Sequence, residues 1–341
     1  MSRLRWLLCL CLAWPCLALA RPACPPHEPV PWRALAPGIW VWAPEQAAEV
    51  SPANGGHVMP VTALVHRGQA MVIDPGPNLR HGQRLRDSLA CRFGARVTRV
   101  LNSHAHSENV LANAAFEADA AAGRVRIEAL AGTRETMAQR CPACLESLTR
   151  HAGALAMAGT RIVLPTHSLV PGQVLRFGPH RLQVRPAEQG HTASDLVLWS
   201  ARERILWAGG LVYGQRLPEL AQGRLDDWLA ALDRLAALHP ATVIGVSVSR
   251  APAAGGLPPA LLQTREYLAA LREGVWRAMD AGEQPQTPGL VDLPAYRGWA
   301  GYAERHEFNR LRVWRELEPL WMGQGSKSAP AAVPSAEQVG R

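Results

Sequence analysis

RVTRVLNSHAHSENVLANAAF, residues 96–116, is the stretch on which the reading of this chain turns. It opens with an apolar run, Val97, Val100 and Leu101, that predicts a buried strand over 96–104. From Glu108 onward it becomes alanine-rich and predicts a helix. His104 and His106 stand between the two. In extended backbone, side chains two residues apart point to the same side, so imidazoles at this spacing can grip one ion together. The end of a buried strand is also where functional groups are displayed. His-x-His alone is weak evidence, because the chain has 12 histidines and exposed histidines are common.

Upstream, GIWVWAP (38–44) predicts a short strand, and VTALVHRGQAMVIDPG (61–76) two strands joined at Arg67-Gly68 and closed by a turn at Asp74-Pro75-Gly76. Residues 79–93 read as a helix. Downstream, 124–131 reads as a strand, 133–150 as a helix, and 180–213 as strands with tight connections. Within this last segment lies Gly190-His191-Thr192. Leu225, Trp228, Leu229, Leu232 and Leu235 share one face of a helix over 224–238. A last buried strand at 241–249 and helices at 261–281 and 298–320 follow. No repeat or linker divides the chain, so one domain is expected, with an extended arm over 21–37, the domain itself over 38–322 and a disordered Ser/Ala/Pro-rich tail over 323–341.

The N-terminus, MSRLRWLLCLCLAWPCLALA, pairs Arg3 and Arg5 with an apolar run ending in Ala18-Leu19-Ala20. That is the layout of a signal peptide over 1–20, too short for a membrane span, which needs roughly 20 apolar residues. The expectation is a periplasmic or secreted protein with no stable membrane span after cleavage. The formal charge is +8, and loss of Arg3 and Arg5 leaves about +6. Lys327 is the only lysine. The arginines are scattered among Ala, Leu and Glu on predicted helices, which points to a solvated surface and away from nucleic acid.

Three of the seven cysteines lie in the signal segment, leaving Cys24, Cys91, Cys141 and Cys144. In an exported protein four cysteines fit disulfides, in one of three connectivities. Cys141-Pro-Ala-Cys144 also has the spacing of a redox pair or half a zinc site. A zinc site needs a second Cys/His pair, and none is present at similar spacing. A thioredoxin-like pair opens a helix after a strand, whereas this one falls inside the helical RETMAQRCPACLESL. A structural disulfide is the expectation.

The order of these motifs resembles the metallo-β-lactamase superfamily: VIDPG, then the histidine loop, then Gly-His-Thr, then LWAGGLV, then an apolar strand. That resemblance implies an α/β fold, an αββα sandwich of two mixed β-sheets flanked by helices, with a metal site at one edge between the sheets. MAQRCPACLESL and YAERHEFNRLRVWRELE are similar to the quinoprotein relay system zinc metallohydrolases, a SoxH-like periplasmic branch. Carried over, His104, His106 and His191 fall on the three histidines of the first metal site, a sound shell for one catalytic zinc ion with a water.

The second site departs from the family pattern. Glu108 stands where the superfamily has aspartate, and keeps the charge. Asn109 stands for a histidine and Gly210 for the aspartate that bridges two metals. In VIGVSVSR, Val246 or Ser247 stands for the last histidine. Glu108 and Asp195 are the remaining candidates for a catalytic carboxylate, and the alternatives for them are a charge at a helix N-terminus and a loop-holding role. Asp74 matches an aspartate that buttresses the site. Tyr302, His306 and Asn309 repeat at helical spacing and could reach the site, with a polar-edged packing face as the favoured reading. His57, His66, His167 and His239 carry no partner pattern. Two functions stay open: a hydrolase with one zinc acting on an ester, thioester or amide of unknown identity, and a non-catalytic accessory of a periplasmic quinoprotein system, with a dehydrogenase or cytochrome as partner.

Overall fold

The structure is a computed structural model and describes residues 30–324. The expected signal peptide, Cys24 and nearly all of the tail lie outside the described residues. Among the described residues thirteen strands form two sheets, and eight α-helices accompany them.

The first sheet has seven strands in sequence order: β1 (Arg33–Ala36), β2 (Ile39–Trp42), β3 (Val61–His66), β4 (Gln69–Ile73), β5 (Arg96–Leu101), β6 (Arg126–Leu130) and β7 (His167–Leu169). Pairing is antiparallel from β1 to β4 and parallel from β4 to β7. The turn between β3 and β4 places Arg67 and Gly68 at φ 45° and 73°, the two consecutive positive values of a tight hairpin turn. The second sheet runs β13-β12-β11-β10-β9-β8 in space. Its strands are β8 (Val174–Phe177), β9 (His180–Glu188), β10 (Ser194–Ser200), β11 (Ile205–Trp207), β12 (Thr242–Ile244) and β13 (Val248–Arg250). Only β11 and β12 are parallel there.

The helices are α1 (Leu79–Phe93), α2 (Ser107–Val110), α3 (Glu117–Ala121), α4 (Ala131–Ala152), α5 (Ala154–Met157), α6 (Leu225–Ala236), α7 (Pro259–Asp280) and α8 (Tyr302–Gln324). Asn78 caps α1 by accepting the His81 N–H, and Gly94 ends it in the left-handed conformation.

Strand alternation decides which residues meet. On β10, Leu196 and Leu198 face the first sheet and pack with Leu64, Met71, Ile73 and Leu101. Val197 and Trp199, between them, face outward and pack with Leu225, Trp228 and Leu232 of α6, Tyr267 and Leu271 of α7, and Val313 and Leu317 of α8. The outer face of the first sheet packs on Leu85 and Leu89 of α1. Burial on both faces is why these strands read as continuous apolar runs. The expected αββα sandwich is the observed one.

Three local expectations are corrected. The helix predicted from Glu108 through the alanine run is broken: α2 is one turn, residues 111–116 are 3-10 helix, and α3 follows. All six residues of that 3-10 stretch are buried, so packing against α1 overrides alanine's helix preference. The single strand expected at 241–249 is two, β12 and β13, turned at Gly245. A Cβ at Gly245 would lie 3.0 Å from the Val212 carbonyl carbon, a separation only glycine tolerates. Finally, Cys141 and Cys144 are both free thiols, so the disulfide expectation is not met at this pair. The end of the arm that was expected to be merely extended carries β1, the edge strand beside β2.

Candidate metal centre

The ligand loop begins where β5 ends, and its backbone is held from three sides. Asp74, at φ 53°, accepts the Ser103 N–H through Oδ1 at 2.8 Å and donates its own N–H to the Leu101 carbonyl at 2.9 Å. Leu196 of β10 donates to the Ser103 carbonyl at 2.7 Å, which ties the loop to the second sheet. Asn102 and Asn113 exchange amide hydrogen bonds of 3.1 and 2.8 Å. The segment 101–106 is therefore set before any ligand arrives.

His104, His106 and His191 converge. One ligand atom from each lies within 4.8 Å of the others, and all three residues are buried. Their rings meet edge to face, with centroids 4.5 to 5.1 Å apart. His104 Nδ1 is taken by Ser103 Oγ at 2.8 Å, which leaves Nε2 for an ion. His106 Nδ1 and His191 Nε2 are 3.1 Å apart. Two nitrogens bound to one tetrahedral zinc at about 2.0–2.1 Å stand roughly 3.3 Å apart, so the pair is already near ligand spacing. The three imidazoles fit a metal ion in number, kind and separation.

The electrostatics agree. Burial holds His104 and His191 well below the ordinary imidazole value of 6.5, and the neighbouring His106 pushes both the same way. Both rings are neutral near pH 7, the state in which imidazole ligates.

These are the ligand set and fold of a known family, and a family model for the metallo-β-lactamase superfamily matches residues 56–247. The chain belongs to the metallo-β-lactamase superfamily. Its structure is similar to a metallo-β-lactamase from Pontibacter korlensis, at 18% identity and a TM-score of 0.53, over 70% of this chain and 97% of that one. It is similar to a metallo-β-lactamase from Hirschia baltica, at 15% identity and a TM-score of 0.51, over 71% and 98%. It is also similar to the metallo-β-lactamase FIM-1 from Pseudomonas aeruginosa in the mono-zinc form, at 17% identity and a TM-score of 0.51, over 72% and 97%. At these identities the likeness is one of fold. No curated protein matches the chain.

The second site of this metallo-β-lactamase fold is closed by more than missing ligands. A Cβ at Gly210 would stand 2.6 Å from His191 Nε2, and closer still to Cδ2. The ligand imidazole occupies the volume where a side chain at 210 would begin. Asn109 is fully buried, and neither atom of its amide group has a hydrogen-bond partner. Ser247 packs toward Gly214 instead, where an added Cβ would lie 3.5 Å from the Ser247 Cβ.

Glu108 does come to the site, with Oε1 3.9 Å from His106 Nδ1. Burial works to raise its carboxyl, but His106 and Arg216 outweigh that and leave it below the ordinary carboxylate value, so it is ionised near neutral pH. Asp195 is bonded within its own loop. Its two oxygens accept the Thr192 N–H at 2.9 Å and the Thr192 hydroxyl at 2.8 Å, holding the loop that presents His191. Burial pushes the Asp195 carboxyl up to about 7 and that of Asp74 up to about 6.

Sequence reasoning missed the segment over the site, residues 214–224. Gln222 reaches His106, with its amide nitrogen 2.8 Å from Nε2. The amide serves either way round: its nitrogen donates to a bare Nε2, and its oxygen accepts from the N–H that Nε2 carries when Nδ1 ligates. Gly223 lies against Gly190, where a Cβ would stand 2.7 Å from the Gly190 carbonyl carbon. The segment is pinned by Arg216, whose Nε donates to Glu49 at 3.0 Å. Asn309 of α8 pins it too, accepting the Leu220 N–H at 3.3 Å and donating to the Pro218 carbonyl at 2.7 Å. Asn309 therefore acts on the site's cover, while His306 pairs with Tyr267 and the Val291 carbonyl and stays in the packing. The signal that could have found Gln222 is only its place in a Gly-containing loop between β11 and α6.

Replacing Gln222 with Ala removes the partner that orients His106. Zinc affinity falls by about 10–100-fold, read by competition with a chromogenic chelator, while the unfolding midpoint of the metal-free protein changes little.

Acid destabilises the metal-free protein. Five histidines, the half-buried His57 and the buried His81, His104, His191 and His306, are held below 6.5, by burial first in each case. The unfolded chain protonates them as pH falls through about 6.5 and the folded chain does not, so each contributes stability above 6.5 that is lost on acidification. Asp74 and Asp195 act oppositely: they hold protons in the folded state up to about 6 and about 7. The histidines outnumber these two carboxyls, so the unfolded state binds more protons than the folded state near pH 5. Urea midpoints of chelator-treated protein therefore rise between pH 5 and 6.5. A flat or falling profile contradicts the assignment.

Proposed function

We propose that this protein is an exported hydrolase with one zinc ion, acting on the ester, thioester or amide carbonyl of a small molecule. The observation that carries the proposal is the convergence of three buried imidazoles from two distant segments, two of them held neutral. His104, His106 and His191 would hold the ion. When bound, zinc polarises a carbonyl and brings the pKa of its water to about 7.

The chain's own groups do the rest. Glu108 supplies an ionised carboxylate 3.9 Å from His106, placed to accept a proton from a water at the ligand cluster and pass it to a leaving group. Asp74 and Ser103 fix the ligand loop. Gln222 orients His106, and residues 214–224 shield the site from solvent.

Membership of the quinoprotein relay branch and a periplasmic location are parts of the same proposal. Export supplies an oxidising compartment, which suits the disulfide-bonded Cys91. A second reading, a non-catalytic accessory of a quinoprotein dehydrogenase or its cytochrome, is favoured by one fact: the His191 ring stands where the superfamily's bridging carboxylate would start.

Elemental analysis of the periplasmically expressed protein, followed by chromogenic β-lactam, thioester and lactone substrates, separates the readings. The hydrolase gives about one zinc per chain and turnover that disappears in His191→Ala. Zinc near zero, or turnover equal in that variant, removes the catalytic proposal. Recovery of a quinoprotein dehydrogenase or cytochrome on the tagged protein supports the accessory reading.

A further inference from the structure

The pair Cys141-Pro142-Ala143-Cys144 has no part in the metal chemistry, yet it lies one packing layer behind it. Both cysteines are on α4, at its eleventh and fourteenth residues, and both are free thiols. Cys141 is fully buried against Ala105, Val110 and Met137, so its neighbour across the helix interface is the residue between the two ligand histidines. Cys144 is partly exposed, and Pro142 and Ala143 between them face solvent. The pair therefore has one sulphur open to a reagent and one reachable only through the first.

Helix geometry explains why the thiols are unpaired and what they can do. Residues three apart on an α-helix have Cβ atoms about 5–6 Å apart, whereas a disulfide needs about 3.5–4.5 Å. Closing the bond takes about 1–2 Å of local tightening toward 3-10 geometry, in which such side chains eclipse. Pro142 lies in the middle of that turn. It has no N–H, so the hydrogen bond to the Ala138 carbonyl is already missing and the turn tightens at lower cost. A bond closed against helical spacing is strained, and strained, accessible disulfides are the labile ones.

The charges around the two sulphurs divide their roles. The hydrogen bond from Cys141 leads in lowering the Cys144 thiol to about 7, burial opposes it, and Arg140 adds to the lowering, in line with the greater exposure of Cys144. Cys141 is pushed up by the same hydrogen bond and by burial.

We propose that Cys141 and Cys144 form a thiol–disulfide exchange site for low-molecular-weight disulfides, with Cys144 as the attacking and Cys141 as the resolving thiol. The Cys144 thiolate attacks one sulphur of a disulfide RS–SR. The Cys144–SR bond forms, and the other half leaves as a thiolate that takes up a proton. Cys141 gives up its proton and attacks the Cys144 sulphur, closing the intrahelical bond and releasing the second RS⁻, which is protonated in turn. The protein dithiol loses two electrons, and one disulfide becomes two thiols. This inference is independent of the hydrolase reading.

Trypsin cleaves after Arg140 and Arg150, so both sulphurs fall on one peptide, residues 141–150. The full protein is equilibrated with mixtures of reduced and oxidised glutathione, quenched with acid, alkylated and digested. The wild-type peptide is expected to pass from doubly alkylated to internally bonded as oxidised glutathione rises, and back on reversal. Cys141→Ser is expected to trap a glutathione adduct on Cys144, at a level at least about tenfold above that on Cys141 in Cys144→Ser. A wild-type peptide that stays doubly alkylated across the series, or equal adducts on the two variants, overturns the proposal.

Discussion

Zinc content is expected to fall from the proposed one per chain to below about 0.1 in His104→Ala/His106→Ala. The double variant keeps His191 alone, and a single buried imidazole does not hold zinc against a solution chelator. A cluster of three histidines that met only by packing would leave zinc content near zero in the wild type as well. The thermal unfolding profile gives a second reading of the same result. An ion bound to the folded chain alone adds RT ln(1 + [L]/Kd) of stability, about 4 kcal/mol at a free concentration a thousandfold above Kd. Chelator therefore lowers the unfolding temperature of the wild type. It leaves that of the double variant where it was. A chelator response of equal size in both proteins would place the ion elsewhere.

The second large effect is expected from Gly210→Asp. On sequence grounds this substitution puts back the carboxylate that bridges two metals in the superfamily, and a gain of a second ion would be the naive result. The structure predicts the reverse. The first atom of the new side chain would lie 2.6 Å from His191 Nε2, so the ligand ring has to leave its position. His191 also packs against the Trp228 and Tyr213 rings, at centroid distances of 5.2 and 5.8 Å, which restrict where its ring can go. Overpacking of this kind costs about 1–3 kcal/mol, and an ionised carboxylate buried without a metal adds to it. The expected outcome is a lower unfolding midpoint and a drop to under about 0.2 zinc per chain, with Gly210→Ala intermediate. Two zinc ions per chain with unchanged stability would show that His191 moves freely and that the second site is only short of one ligand.

Much of the site was legible because its chemistry is carried by residue types at fixed spacing. His104 and His106 share a direction by strand geometry, and Gly190-His191-Thr192 stands out through its own short pattern. Gln222 was not legible, since a glutamine in a loop has no pattern that points to an imidazole 116 residues earlier in the chain. Nor was the role of Asn309: its helical spacing with Tyr302 and His306 marks a packing face, but the carbonyl and N–H it satisfies belong to the loop at 218–220. Asp195 shows the converse. A carboxylate four residues after a ligand histidine invites a catalytic role, and only the two hydrogen bonds to Thr192 reveal that both of its oxygens are already committed.

The broken helix after the ligand loop has the same origin. Alanine preference is worth a few tenths of a kcal/mol per residue, and the burial of Ala115 and Phe116 against α1 and β5 and of Leu111 against α4 and α5 is worth more. A local signal loses wherever a long-range contact of larger free energy competes with it. The sequence by itself determined the strand and helix order, because periodicity is local, and the order of its motifs, through their likeness to the superfamily, implied the sandwich class and the three histidines. The tertiary structure alone decided that the volume at residue 210 belongs to the His191 ring, that Gln222 completes the shell of His106, and that Cys141 and Cys144 remain unpaired on one helix. Each of these depends on which atoms from distant segments compete for the same few ångströms, and no local pattern in a chain encodes that.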